Sequence, residues 1–287
     1  MRLLHAVALL LFVCAVPVQA GDEDLWNKKL PFESATIEYA IDGMEKGTET
    51  LYIKDYGQHT AKHHSAVMSM MGMKVESRTL EITDPDWIYH YDLKEGTGTK
   101  STNPVKYMKA EYDKLTDAEK KQVNKNAEKM AVNFQQGGGG SIEKNVAEMF
   151  GFKVDRATVM GIESYTIHDT PITLRTSGTI MGMTIDTKAT SFNKGTVDDK
   201  FFQHPANIQA VHDPRSDAMM QTMAEKTMAW LKDPEAETKA PPVPSASDMF
   251  GNQGQGQPQG NSQQLPGGLD KSTEKVMEGV LKGLFGN

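Results

Sequence analysis

The chain has 287 residues, with 31 lysines and arginines against 38 aspartates and glutamates, for a formal net charge of −7. This length suits one large domain or two small ones, and the acidic balance argues against nucleic acid as a partner. The only cysteine, Cys14, lies in a predicted signal segment. Disulfides, thiolate catalysis and cysteine metal sites are therefore excluded for the mature chain.

Residues 1–20 have the pattern of a cleaved secretory signal. Arg2 supplies the charged start, residues 6–16 form an apolar core, and the small-residue site Val18-Gln19-Ala20 precedes Gly21. The apolar run is too short to span a bilayer, and no later segment has the apolar composition of a membrane span. An exported chain of this size without a disulfide suits a bacterial periplasm or surface better than eukaryotic secretion, and we predict a periplasmic protein rather than an extracellular one.

Residues 34–93 alternate between apolar and polar side chains, which is typical of half-buried antiparallel strands. Ile37 and Tyr39 share one face in the first run, and Trp87 and Tyr89 share one face in the last. We predict four to six strands here. The turn signals between them are Asp42-Gly43, Tyr56-Gly57, Met71-Gly72 and Asp84-Pro85-Asp86.

The middle of the chain predicts two amphipathic helices. Thr116 and Glu119 have the spacing of a capping box at a helix start, and apolar residues then recur at helical spacing as far as Phe134. Ser141 is the predicted cap of the second helix. The apolar residues of that second helix are Ile142, Val146, Met149 and Phe150.

A second strand array follows from Ala157 to Phe202, and its last long run places Met183 and Ile185 on one face. Two antiparallel arrays around a helical middle predict an α+β fold with one large curved antiparallel sheet, buried on one face. We expect a single domain over residues 24–232. Its helices from 105–152 should cover the concave face, and a further helix should span Ser216 to Lys232.

The C-terminal region loses this periodicity. Residues 233–268 are rich in Pro, Gln, Gly and Ser, which predicts a disordered linker. Residues 269–287 recover the apolar spacing of a short amphipathic helix, which usually docks on another surface. Its target is either its own domain or an external one, such as an envelope protein or a membrane surface.

The strand and glycine pattern over residues 34–208 resembles an uncharacterised family of exported bacterial domains that is similar to the outer-membrane lipoprotein carriers LolA and LolB. The segments that bear the resemblance include Tyr52-Ile53-Lys54-Asp55-Tyr56-Gly57, Trp87-Ile88-Tyr89-His90-Tyr91-Asp92-Leu93, Thr158-Val159-Met160-Gly161 and Ile172-Thr173-Leu174-Arg175. The chain departs from the pattern at Thr170-Pro171, where such domains usually have a bulky aromatic residue. The resemblance implies a half-open barrel with helices on its concave face, which in the carriers holds acyl chains.

A curved sheet of this kind could enclose an apolar cavity beneath its helices. The predicted lining residues are Ile37, Tyr39, Trp87, Tyr89, Met183 and Ile185. Burial of an acyl chain would contribute about 0.8 kcal/mol per CH₂ before entropy is counted. We therefore predict a non-catalytic binding protein for a lipid or lipidated chain, carrier-like or chaperone-like. The alternative is that these side chains simply fill the core.

Two other functions remain open. Imidazoles and thioethers at His59, His63, His64, Met68 and Met70 could bind Cu(I), which prefers soft sulfur ligands. A scaffold function would act through the C-terminal helix. No catalytic motif is present, since the sequence lacks His-Glu-x-x-His, Gly-x-Ser-x-Gly and a Gly-x-Gly-x-x-Gly after a strand. We therefore predict neither an enzyme nor a cofactor.

Overall fold

The computed structural model describes residues 29–70, 73–136, 140–159, 161–180 and 183–236. The predicted signal, the predicted linker beyond Ala236 and the predicted helix at 269–287 lie outside these residues. None of the helices in the described ranges is long and apolar enough to cross a membrane.

Among the residues that the structure describes, twelve strands form one sheet. They are β1 (Ala35–Gly43), β2 (Glu45–Lys54), β3 (His59–Met70), β4 (Met73–Thr83), β5 (Trp87–Asp92), β6 (Thr97–Thr102), β7 (Gly140–Met149), β8 (Phe152–Val159), β9 (Ile162–Ile167), β10 (Thr173–Ile180), β11 (Met183–Lys194) and β12 (Ala210–His212). Their order is β12-β6-β5-β4-β3-β2-β1-β11-β10-β9-β8-β7, and every neighbouring pair except β12–β6 is antiparallel.

The two predicted strand arrays do form a single large, curved and unclosed sheet, which confirms that part of the prediction. The junction is the pairing of β1 with β11, in which Ile37 lies opposite Phe192. Within the first array the chain reverses at Gly43, at the short 3-10 turn Asp55–Gly57 and at Asp84, where turn residues were expected. The outermost strands, β12 and β7, belong to opposite ends of the sheet.

One face of the sheet, here named the core face, contains Ile37 and Tyr39. It bears the larger apolar cluster, in which Ile37, Ile53 and Leu174 are completely buried. Leu30 and Phe32 pack on the same cluster from the segment before β1, and Phe32 makes edge-to-face contacts with Phe152 and Phe192. Residues from both arrays thus share one core.

The opposite face of β3–β5, here named the strap face, contains Tyr89. A second cluster of Ala61, Leu80, Ile82 and Tyr91 lies there. It is covered by side chains from the segment 199–210, here named the strap, which joins the end of β11 to β12. In this region the strap face is apolar, whereas the core face of β3 and β4 carries polar and charged side chains such as Lys62, His64 and Glu81.

The described residues contain three α-helices: α1 (Pro104–Asp113), α2 (Asp117–Gln136) and α3 (Pro214–Leu231). The capping box is confirmed, because the Thr116 N–H donates to Glu119 at 2.9 Å and the Glu119 N–H donates to Thr116 Oγ1 at 3.3 Å. The helices bury a cluster of their own, with Val123 from α2 against Met228 and Leu231 from α3.

The buried amide of Asn126 ties α2 to the end of α3. Its Nδ2 donates to the carbonyl oxygens of Leu231 and Asp233, both at 2.7 Å. Residues 233–236, the start of the predicted linker, pack onto this helical cluster, and Ala236 is fully buried.

The predicted second helix at residues 141–150 is wrong, since this segment is strand β7. Its pairing with β8 shifts register between Glu143 and Ala147, where Asn145 has a positive φ of 54°. The extra residues break the alternation of the strand, and the apolar positions then match helical spacing by coincidence. Phe150 and Gly151, with φ of 50° and 79°, form the two-residue turn into β8.

Candidate functional site

The six predicted cavity residues do not lie on one face. Tyr39 pairs with Glu49 and Ile37 pairs with Leu51, whereas Tyr89 belongs to the row of Ile82. The row of cross-strand partners that contains Tyr89 and Ile82 continues through Ala61 and Tyr52 to Thr36 on β1. Thr36 lies next to Ile37 in the strand, so this row is on the face opposite to Ile37 and Tyr39. Ile185 lies on the core face because it pairs with Gly43. The side chain of Met183 lies outside the part of the chain that the structure describes. Trp87 and Tyr89 instead lie on the strap face.

The core face changes character along the strands. Ile37 and Ile53 are 0% exposed, so their end of the face is filled by the protein's own side chains. Two residues beyond Tyr39 along β1, Ile41 is half-buried, and so is Ile185 on β11. Apolar surface therefore remains accessible at the end of the core face nearer to Gly43.

A row of small residues crosses eight strands at the level of Ile41. Cross-strand pairing connects the row, in sheet order, as Ser77, Ala66, Gly47, Ile41, Thr187, Thr176, Ser164 and Ala157. Ile41 is its only large member, and Ala66, Ser77 and Ser164 of the row are buried. We name it the small-residue row.

Beside this row the core face carries an ionic group. His64 lies between two carboxylates, with Nε2 3.2 Å from Glu45 Oε1 and Nδ1 3.3 Å from Glu49 Oε2. The hydrogen bonds to Glu45 and then Glu49 outweigh partial burial and raise the pKa of His64 to about 9. The imidazole is thus protonated at neutral pH and donates from both nitrogens.

Two neighbours extend the ionic group. Lys62 Nζ lies 3.3 Å from Glu81 Oε1; burial opposes its charge, but Glu81 and Glu49 raise its pKa overall. The Tyr39 hydroxyl donates to the carbonyl oxygen of Thr173 at 3.0 Å. Burial first, and the charge of Glu49 second, raise the pKa of Tyr39 well above its ordinary value, so it stays a neutral donor.

On the strap face, aromatic rings and histidines hold the strap to the sheet. Phe201 stacks on Tyr52 with ring centroids 4.0 Å apart. His63 Nε2 donates to the Phe201 carbonyl oxygen at 3.0 Å, and the Tyr91 hydroxyl lies 2.7 Å from His204 Nδ1. Trp87 and Tyr89 belong to this face, and Tyr89 contacts the ring of His204.

Of the predicted copper ligands, the three histidines are not brought together, and the side chain of Met70 lies outside the part of the chain that the structure describes. His63 and His64 are consecutive in β3 and lie on opposite faces, while His59 Nδ1 lies 2.8 Å from Asp55 Oδ2. Met68 shares the core face with His64, whose two nitrogens are both engaged. In the described part of the chain, no group of three or more His, Cys, Asp or Glu residues is arranged to hold a metal ion.

Sequence reasoning missed the ionic group of the core face. The sequence did contain a pattern that points to this group. Glu45 and Glu49 are an even number of residues apart and share one face of β2, and Lys62 and His64 share one face of β3. Only the pairing of the two strands reveals that these faces are the same and that the charges meet.

No family model matches the sequence, and no curated protein matches it. Several solved structures are distantly similar. An uncharacterized conserved protein from Thermus thermophilus aligns with TM-score 0.37 and 9% identity, covering 64% of this chain and 92% of its own. MucB aligns with TM-score 0.32 and 10% identity, covering 72% and 66%. PNGF-II aligns with TM-score 0.30 and 10% identity, covering 67% and 32%. Similarities this distant support no argument about function, and the resemblance to LolA and LolB stays a prediction.

Proposed function

We propose that this chain is an exported, non-catalytic periplasmic binding protein for an apolar ligand, such as a lipid or a lipidated chain, and that it acts as a carrier or chaperone. In this proposal the sheet is a half-open barrel like that of the lipoprotein carriers, with helices over its concave face. The observation that supports it best is that Ile41 and Ile185, beside the small-residue row, are only half-buried, so apolar surface remains accessible at this end of the core face.

The proposed ligand site differs from the one that the sequence pattern predicted. Ile37 and Tyr39 belong to the filled part of the core, and Trp87 and Tyr89 lie on the other face. The apolar chain would lie across the small-residue row, between Ile41 and Ile185. Each buried methylene contributes about 0.8 kcal/mol, so an acyl chain could be held without a specific polar contact.

The experiment is a titration of the mature full chain with cis-parinaric acid, a fluorescent long-chain fatty acid, together with native mass spectrometry of the protein as purified. Thr187→Phe should fill the small-residue row and weaken binding of the probe at least tenfold. Lys188→Phe is the matched control, because Lys188 is the next residue of the same strand and is exposed. It should bind the probe like the wild type.

Circular dichroism establishes that both variants are folded before they are compared. The proposal fails if the wild type neither binds the probe nor co-purifies with acyl mass. It also fails if Thr187→Phe, folded, binds the probe as tightly as Lys188→Phe does. Should Thr187→Phe not fold, Thr176→Leu in the same row provides the milder filling variant.

A further inference from the structure

The core face is divided into an apolar half and a charged half. On β1 and on β11 to β7, a row of cross-strand partners lies at the level of Gly43. Its members, in sheet order, are Gly43, Ile185, Gly178, Ile162, Val159 and Gly140. None of them carries a charge, and Ile185 and Val159 are only half-buried. We name this the apolar row.

The charged half of the core face lies on β2 to β5. Its carboxylates are those of Glu45, Glu49, Glu81 and Asp92. Its cations are Lys62 and the imidazolium of His64, and His90 lies opposite Glu81. Even with the His90 imidazole protonated, four carboxylates face three cations. The charged half therefore has an excess of negative charge.

The two halves meet between β1 and β2. Ile41 of β1 pairs with Gly47 of β2, and Gly47 lies between Glu45 and Glu49 on the same face. Only glycine fits at position 47, because a Cβ there would lie 2.2 Å from the carbonyl oxygen of Ser65 on β3. Half-buried apolar surface and two carboxylates are thus only one strand apart, about 4.8 Å in the plane of the sheet.

The hydrogen bonds of the ionic group leave acceptors rather than donors. Both nitrogens of His64 are engaged, one by Glu45 Oε1 and the other by Glu49 Oε2. An ionised carboxylate accepts hydrogen bonds at both of its oxygens, so each glutamate retains acceptor capacity beyond its bond to His64. A ligand group that complements this part of the face must therefore donate hydrogen bonds and carry positive charge.

We propose that the ligand of the core face is an aminolipid, with its alkyl chain on the apolar half beside Ile41 and Ile185 and its protonated primary amine at Glu45 and Glu49. This inference rests on the proposed function, because it names the class of ligand for the same site. A primary ammonium group supplies one positive charge and three donors. A fatty acid would bind through its chain but more weakly, since its carboxylate would face carboxylates of the same charge.

The test is displacement of the neutral fluorescent probe N-phenyl-1-naphthylamine from the full mature chain by decylamine, decanol and decanoate at neutral pH and low salt. The three ligands share one alkyl chain and differ in the charge of the head group. Decylamine should displace the probe at a concentration at least tenfold lower than either of the others. High salt should reduce this preference and should not weaken displacement by decanol.

The double variant Glu45→Gln/Glu49→Gln removes both carboxylates and conserves side-chain size. It should lose the preference for decylamine and bind decanol like the wild type. The matched control is Glu76→Gln/Glu163→Gln, which removes two carboxylates from the opposite face and should retain the preference. Glu76 pairs with Val67, the neighbour of core-face Ala66, and Glu163 precedes core-face Ser164.

Each outcome separates this inference from the proposed function. If none of the three ligands binds, by displacement or by isothermal titration calorimetry, the proposed function fails and the inference fails with it. If all three bind equally well, the apolar site stands and the amino head group is refuted. Equal loss of the preference in both double variants also refutes it. The ligand comparison and the salt series use the wild type alone, so they decide the question even where a variant does not fold.

Discussion

The ionic group around His64 predicts a specific dependence of stability on pH. The pKa of His64 is raised from its ordinary value of 6.5 to about 9 in the folded protein by Glu45 and Glu49. A pKa raised by folding stabilises the folded state fully below the unfolded value, and the stabilisation is lost as pH rises through the folded value. The ion pairs of His64 should therefore contribute most below pH 6.5 and nothing well above pH 9.

The magnitude follows from the two pKa values. One pKa unit corresponds to about 1.4 kcal/mol, so the change from 6.5 to about 9 sets an upper limit of about 3 kcal/mol. The side chains of His64, Glu45 and Glu49 are 16%, 20% and 23% exposed, so solvent screens the pairs in part. We expect about 2 kcal/mol of the free energy of unfolding to disappear between about pH 6 and pH 10.

Urea denaturation at a series of pH values, followed by tryptophan fluorescence, measures this directly. The His64→Gln variant should lose this pH-dependent part of the free energy of unfolding. Glu49→Gln should move the midpoint of the pH dependence to lower pH, because one of the two carboxylates that raise the pKa of His64 is removed. His212→Gln, which removes a more exposed histidine that pairs with a single carboxylate, Asp217, at 2.7 Å, is the comparison for losing a histidine elsewhere. The reasoning is refuted if His64→Gln and the wild type keep a constant difference in unfolding free energy across this pH range.

Three further substitutions test packing and capping. Asn126→Leu should lower the free energy of unfolding by about 2–3 kcal/mol in urea denaturation, because two carbonyl oxygens at the end of α3 lose their donor. Tyr39→Phe should cost about 1–2 kcal/mol in the same assay, since the Thr173 carbonyl loses its hydroxyl donor. Thr116→Ala should cost about 1 kcal/mol and lower the helix signal in circular dichroism, because Glu119 loses the capping-box partner.

Controls for these three variants come from nearby exposed positions. Asn124 is a poor control because its side-chain oxygen is itself buried, so Lys125→Ala on the same helix is the better one. If Asn126→Leu and Lys125→Ala lowered the free energy of unfolding by the same amount, this would contradict the capping of α3 by Asn126. A thermal midpoint for Tyr39→Phe at or above that of the wild type would contradict the hydrogen bond to Thr173.

Period-two alternation predicted the strands in both arrays because the alternation of side chains is a property of each strand alone. The same is true of the capping box at Thr116, which involves only residues within one helical turn. The incorrect prediction of a helix at residues 141–150, where the structure has strand β7, also has a local cause. The register shift near Asn145 removes the alternation from which a strand would have been predicted.

The amino-acid sequence predicted most of the strands, though not β7, the places where several of them reverse, and the capping box at which α2 begins. It did not determine which faces of different strands coincide. Within one strand the face of each residue is fixed by a two-residue period, but the phase between strands depends on hydrogen-bond pairing over long separations, as between β1 and β11. For that reason only the tertiary structure separated Trp87 and Tyr89 from Ile37 and joined His64 to its two glutamates.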